Sequence, residues 1–285
     1  MINLDYNEQK MNNEELKILL LYLLKQLNSI CEEANIPYYA GGGTCIGALR
    51  NKGIIPWDDD IDVLMPRKYY YDFIEKCNSK LESPILIRTR ENDPYFCQEY
   101  IKLCFKDDVF GYSDISLDVF FLDETNPKRK IFRALQNRIL LDLYAIKKYK
   151  VSRMQGNKKY TPRNIFKRFY ISVLSHIFSL NFIEKIHKKT MLLEKKETEF
   201  CIDWGSCYSY KKRATYKKKW FGVPQKAPFE NTYIYLPQDA NSLNEYVFGK
   251  DWMTPPPPEK RINHGVKRLN NNDVDIEAIK KEINW

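Results

Sequence analysis

Leucine and isoleucine recur at positions 16, 19, 20, 23, 24, 27 and 30, the three-and-four spacing of an amphipathic helix over residues 13–35, with Asn13 as its N-cap. This stripe is a core face rather than a cofactor-binding surface. Residues 36–40 read as a strand that runs into Gly41, Gly42 and Gly43, and residues 44–50 as a short helix behind them. If Pro56 opens a strand through Met65, its side chains alternate faces, which puts Asp58, Asp60 and Asp62 on one side and Ile61 and Val63 on the other. A helix over 67–81 follows, then strands over 85–89, 97–105 and 115–122. Residues 126–198 read as helical, 214–221 and 232–236 as short strands, and 241–248 as a helix. The proline-rich stretch WMTPPPPEKRINH comes after them.

Composition narrows the class. A chain of 285 residues with 44% hydrophobic and 14% aromatic residues buries a sizeable core and is not a disordered tail. The first residues lack a cationic, apolar leader, and no run reaches the roughly 18 apolar residues of a spanning helix, so a cytoplasmic protein is expected. Seven cysteines, at 31, 45, 77, 97, 104, 201 and 207, form no CxxC pair and predict reduced, mostly buried thiols rather than disulfides or a zinc site.

Charge is unevenly spread. The net +9 conceals a middle segment, residues 126–219, with 25 Lys/Arg against 6 Asp/Glu. Such a block suits an anionic partner: a lipid surface, a pyrophosphate-linked substrate or nucleic acid. The apolar and cationic mixture there fits a helix lying on an anionic membrane, and fits an ordinary helical lobe equally well.

The candidate chemistry lies in AGGGTCIGALRNKGIIPWDDDIDVLMP. Glycines let a backbone approach a phosphate, and the free N–H groups of the following helix favour an anion. Three carboxylates on one side repel one another unless a cation sits among them, and hard oxygen donors beside phosphate suit Mg²⁺ or Mn²⁺. Asp118, in the apolar strand SLDVFFL, is a third acid of interest: it is either a metal ligand and general base, or the partner of Lys102 in a structural ion pair.

The segments GGGTCIGALRNKGIIPWDDDIDVLMPR, SLDVFFLD and FGKDWMTPPPPEKRINH together resemble the LicD family of phosphotransferases, which includes phosphocholine transferases, and the catalytic domain of the fukutin-related ribitol-phosphate transferases. The resemblance covers residues 13–125 and about 216–265. It implies an α+β, nucleotidyltransferase-like fold of the polymerase β type, a mixed sheet flanked by helices. The expected organisation is a catalytic core over 1–125, a basic helical lobe over 126–203, and residues 204–285 completing the catalytic domain. Residue by residue, Gly42, Gly43 and Thr44 match the phosphate turn, Asp60 and Asp62 the metal-binding DxD pair, Asp118 the third acid, and Asp58 the extra acid of a DxDxD form.

The activity implied is transfer of a phosphorylated headgroup, phosphocholine most often, from a CDP-linked donor such as CDP-choline to a sugar hydroxyl of a cell-surface glycan precursor (lipopolysaccharide, teichoic acid or capsule), with release of CMP. Asp60, Asp62 and Asp118 are the expected catalytic and metal residues. Arg50, Lys102 and Arg261, with Lys260, are cationic candidates for the donor phosphates, and His264 for acid/base or phosphate contact, against the alternative of surface ion pairs and a packing imidazole. Trp57, Trp220 and Trp252 are aromatic candidates for a quaternary ammonium, with no cage assigned. A lipid-linked oligosaccharide acceptor would place the enzyme peripherally at the inner membrane face. Two alternatives differ in class: nucleotidyl transfer to a small molecule with pyrophosphate release, and, more distantly, nucleic-acid binding through the basic segment.

Overall fold

The computed structural model describes residues 12–93, 96, 98–129, 136, 139–144, 146–147, 169–170, 173–191, 196–205, 215–261, 265–266, 269–271 and 273–285. The architecture is α+β, and the chain forms two compact units. One takes in the described residues of Met1–Arg88, Ile101–Phe120 and Lys219–Trp285, the other those of Thr89–Tyr100 and Phe121–Lys218.

The first unit is built on α1 (Asn13–Glu33). Every member of its leucine stripe is buried, from Leu16 at 5% exposure to Leu27 at 0% and Ile30 at 2%, each worth about 2 kcal/mol relative to an exposed side chain. Asn12, not Asn13, caps the helix by accepting the Glu14 N–H at 3.1 Å; the helix begins at Asn13, one residue earlier than an Asn13 cap requires. Ile18, Leu21, Asn28 and Cys31 are buried as well, so the packed face is wider than the stripe. The side chain of Asn28 donates to the Tyr233 carbonyl at 3.0 Å and accepts from the Tyr38 hydroxyl, so it is satisfied despite its burial.

A sheet in the order β1-β2-β5-β4-β3 stands in this unit, formed by β1 (Tyr39–Ala40), β2 (Ile61–Pro66), β3 (Ile85–Arg88), β4 (Ile101–Asp107) and β5 (Gly111–Glu124). Pairs β1–β2, β3–β4 and β4–β5 are antiparallel. Helix α2 (Gly42–Arg50) packs on β2, and α3 (Tyr70–Lys80) follows a 3₁₀ turn at Arg67–Tyr69. Later in the chain come the hairpin β8 (Gln225–Phe229) and β9 (Thr232–Leu236), helix α5 (Ala240–Phe248) against α2, and helix α6 (Ile276–Ile283) against α1. Neither β8 nor α6 stands out in the hydrophobic pattern: β8 is a half-exposed QKAPF segment, and α6 is a single short amphipathic turn pair capped by Asp275.

In the second unit the end of β5 pairs with β6 (Phe200–Asp203), and β6 pairs with β7 (Thr215–Lys217). Helix α4 (Leu180–Met191) contributes Ile183 to a small core with Leu143 and Tyr144. The described parts of 126–198 are helical apart from the turns and the approach to β6, as the pattern predicts. Buried Arg90 donates to Glu99 and lies 4.0 Å from the Tyr144 ring centroid, while His187 Nδ1 stands 2.9 Å from Glu99. His187 is thus a packed, bonded imidazole.

The described cysteines, Cys31, Cys45, Cys77, Cys104 and Cys201, are all free and buried. Cys97 and Cys207 lie outside the described residues. No described helix is long and apolar enough to cross a membrane.

Candidate active site

The acidic run does not form the strand expected from its alternation. The strand β2 starts only at Ile61, and Pro56 to Asp60 form a turn and an irregular segment in which the Asp58 N–H donates to the Ile55 carbonyl at 2.8 Å. Pro56 has no N–H to give to a ladder, and the turn it opens carries the acids away from a strand register. Asp58, Asp59 and Asp60 consequently cluster, with one carboxylate oxygen from each within 4.8 Å of the others. Asp62 alone is on β2, between buried Ile61 and Val63.

The loop before the acids is held tightly. The Gly53 N–H donates to the Gly47 carbonyl at 3.3 Å, and a Cβ on Gly47 would meet the Gly53 oxygen at 2.5 Å, so α2 and the loop touch backbone to backbone. Glu230, in the β8–β9 turn, accepts the Ile54 N–H at 2.9 Å and donates its own N–H to the Lys52 carbonyl at 2.7 Å. These contacts deliver Trp57 and the acids to the start of α2.

The glycine turn clamps Asp62 from both sides of its peptide unit. Gly41 N–H donates to the Asp62 carbonyl at 2.9 Å, and the Asp62 N–H donates to Thr44 Oγ1 at 2.8 Å. Buried Thr44 therefore braces the acidic strand through its hydroxyl. Gly42 has φ +49, and a Cβ there would lie 3.0 Å from Asp62 Oδ2. At Gly43 a Cβ would lie 2.5 Å from Asp58 Oδ2. In this structure the first glycines of α2 make room for carboxylates.

Asp118 arrives from β5. It stands directly opposite Lys102 of β4 in the antiparallel register, which puts both side chains on one face. Lys102 Nζ reaches both carboxylate oxygens of Asp118 at 2.8 and 2.9 Å and the Ser116 hydroxyl at 2.8 Å, and Ser116 donates to Asp118 Oδ1 at 2.7 Å. The ion pair raised as an alternative for Asp118 is thus present, and Lys102 is committed to it. Asp118 still faces the acidic group: burial first, then Asp60, Asp118 and Asp58, push Asp62 well above the usual carboxylate range, with Lys102 opposing them.

Asp59 is the acid that alternation assigns to the wrong side. It is 2% exposed, and its Oδ2 accepts the Gly265 N–H at 3.1 Å, linking the acidic segment to the C-terminal tail. A run of three aspartates after Pro56-Trp57 was the available signal, since a turn there makes consecutive side chains neighbours.

Two guanidinium groups lie against Trp57. Arg261 lies 4.5 Å and Arg50 5.7 Å from the indole centroid. Arg50 donates to Asn51 and Arg261 to the Pro256 carbonyl, each at 2.9 Å, and among the described residues neither forms an ion pair with a carboxylate. Burial, then the charge of Arg261, pulls Arg50 below its usual value. Two guanidinium groups against one indole, neither paired with a carboxylate among the described residues, are available to bind an anion. Trp57 already has cations over its ring and Trp220 is buried against Tyr246, so neither is placed as a choline face. Lys260 is exposed, and His264 lies outside the described residues.

Residues 35–95, which hold the glycine turn and the acidic run, match the family model described as LicD/FKTN/FKRP, nucleotidyltransferase domain. The lipopolysaccharide cholinephosphotransferase LicD of Haemophilus influenzae is 27% identical over 275 residues, 91% of this chain and 98% of that protein. An uncharacterized protein of Rickettsia typhi is 26% identical over 63% of this chain and 57% of its own length. One of Rickettsia prowazekii is 46% identical over 48 residues, 16% of this chain and 18% of that protein. Residues 35–95 thus carry a LicD-type domain match, and most of the chain is similar to a LicD protein.

Proposed function

We propose that the protein is a metal-dependent phosphotransferase that moves a phosphorylated headgroup, phosphocholine foremost, from a CDP-linked donor to a sugar hydroxyl of a cell-surface glycan precursor and releases CMP. The observation that carries this reading is the gathering of Asp58, Asp59 and Asp60 beside Asp62 at the start of α2. Similarity over 91% of the chain to a lipopolysaccharide cholinephosphotransferase supports the substrate class. The nucleotidyltransferase-like fold is part of the same reading, with the catalytic core over 1–125, completed by 204–285, and a basic lobe over 126–203.

The donor set fits a hard divalent cation: carboxylate oxygens from three residues lie within 4.8 Å of one another, and burial together with its acidic neighbours raises the pKa of Asp62. Asp60 and Asp62, with Asp58 and Asp118, are the residues that would hold Mg²⁺ or Mn²⁺, which supplies charge neutralisation for the phosphates and the leaving nucleotide. Arg50 and Arg261 grip the donor phosphates from the Trp57 side. Asp118, oriented by Lys102 and Ser116, takes the proton of the acceptor hydroxyl as its oxygen bonds to the headgroup phosphorus and the bond to CMP breaks. Gly42, Gly43 and Thr44 set the position of the carboxylates, and His264 stays a candidate phosphate contact.

Nucleotidyl transfer is the second reading, favoured by the description of the matching family model. Product analysis separates the two: CMP from CDP-choline supports headgroup transfer, and pyrophosphate from a nucleoside triphosphate supports the alternative. A glycan acceptor carried on lipid brings the enzyme to the inner membrane face as a peripheral protein.

A further inference from the structure

The basic lobe carries apolar side chains on two sides. Inward, Leu174, Phe178, Leu180 and Ile183 pack with Leu143 and Tyr144. Outward, Phe169, Val173 and Ile177, four positions apart, are 68%, 43% and 66% exposed, and Tyr170 and Phe182 are 54% and 47% exposed. An apolar row at helical spacing that faces water on the side away from its own core is the mark of a docking surface. Phe182 opens the outer stripe of α4, which continues three and seven residues later in exposed Lys185 and Lys189.

Along the sequence, the segment leading into and through this row is charged with one sign as far as Ile183, Glu184 being the first acid after it. From 143 to 183 the sequence holds nine Lys/Arg and no Asp or Glu. A protein partner presents both signs, whereas a leaflet rich in anionic lipid is uniformly negative and takes bulky apolar side chains below its headgroups. We propose that the outer face formed by Phe169, Tyr170, Val173, Ile177 and Phe182, with Lys185 and Lys189, docks the protein on an anionic lipid bilayer. Lys188, 3.9 Å from Glu91, is partly engaged elsewhere and is left out of the contact. This face gives the peripheral membrane contact of the proposed function its residues. The measurement below needs no transfer activity, so its failure would leave the transferase reading standing.

The full-length protein is floated with vesicles of phosphatidylglycerol and phosphatidylcholine, and with phosphatidylcholine alone, at low and high salt. Expected is co-flotation with the anionic vesicles only, weakened by salt. Phe169→Glu/Ile177→Glu lowers the bound fraction on the order of tenfold. Lys185→Glu/Lys189→Glu, an independent variant at exposed positions, also lowers binding, with circular dichroism of both variants unchanged. The proposal is overturned if the wild type does not float, if both variants float as it does, or if the protein sediments as a dimer that Ile177→Glu dissociates, which would make the face a contact between copies of the chain.

Discussion

Gly43 and Asp58 are so close that a side chain on the glycine would occupy the position of the acid: a Cβ would stand 2.5 Å from Asp58 Oδ2. Gly43 lies inside α2, so alanine suits its backbone and the collision falls on the carboxylate alone. Gly43→Ala is expected to keep the wild-type melting temperature and to lower kcat/KM by about 100-fold through displacement of Asp58. Gly42→Ala differs, because φ +49 at that position costs an alanine about 1–2 kcal/mol of stability. Paired thermal melts and kinetics distinguish these outcomes.

Asp62 makes the metal-free protein sensitive to pH. Burial and the nearby Asp60, Asp118 and Asp58 raise its folded pKa, whereas in the unfolded chain it ionises in the usual carboxylate range. The stability it contributes is complete below that range and is lost as pH rises through the folded value. Asp62→Asn removes the loss. The metal-free variant should therefore melt above the wild type at neutral and alkaline pH, with the gap closing under acid. Parallel melting curves across pH would contradict this, and added Mg²⁺ or Mn²⁺ should stabilise the wild type only.

Lys102 and Asp118 form a cross-strand pair whose acid is 5% exposed. Lys102→Met strands the carboxylate and should cost about 3 kcal/mol in denaturant unfolding. Lys102→Met/Asp118→Leu should regain most of that stability yet stay inactive. A double variant with normal turnover would remove Asp118 from the reaction.

Arg261 and Arg50 share Trp57. Arg261→Ala should raise KM for the CDP-linked donor about tenfold with a smaller change in kcat, and Arg261→Lys should restore little, since an ammonium lacks the planar fork of a guanidinium. An unchanged donor KM in both would place the phosphate elsewhere.

The pattern in the sequence was most legible where one helix or strand face meets the core. The stripe from Leu16 to Ile30, the strand β9 at Thr232–Leu236 and the helix before Arg50 all emerge at or near their expected bounds. The acidic segment misled because alternation assumes an extended chain, and Pro56 breaks it before Ile61. Strand β8, with a proline and mostly exposed residues, owes its existence to pairing with β9 rather than to its own pattern. Arg50 and Arg261 were each recognisable as cations. Their meeting on Trp57 joins positions far apart in the chain and could be found only in three dimensions.

The most direct test of the central claim is release of CMP from CDP-choline in the presence of Mg²⁺ or Mn²⁺ and a lipid-linked glycan acceptor, comparing wild type with Asp60→Ala and Asp62→Ala and including CDP-ethanolamine, CDP-glycerol and CDP-ribitol as donors. The account predicts metal-dependent CMP release that both substitutions reduce by at least about 1,000-fold. CMP release that persists in both variants, or pyrophosphate from a nucleoside triphosphate with no CMP from any of these donors, would contradict it.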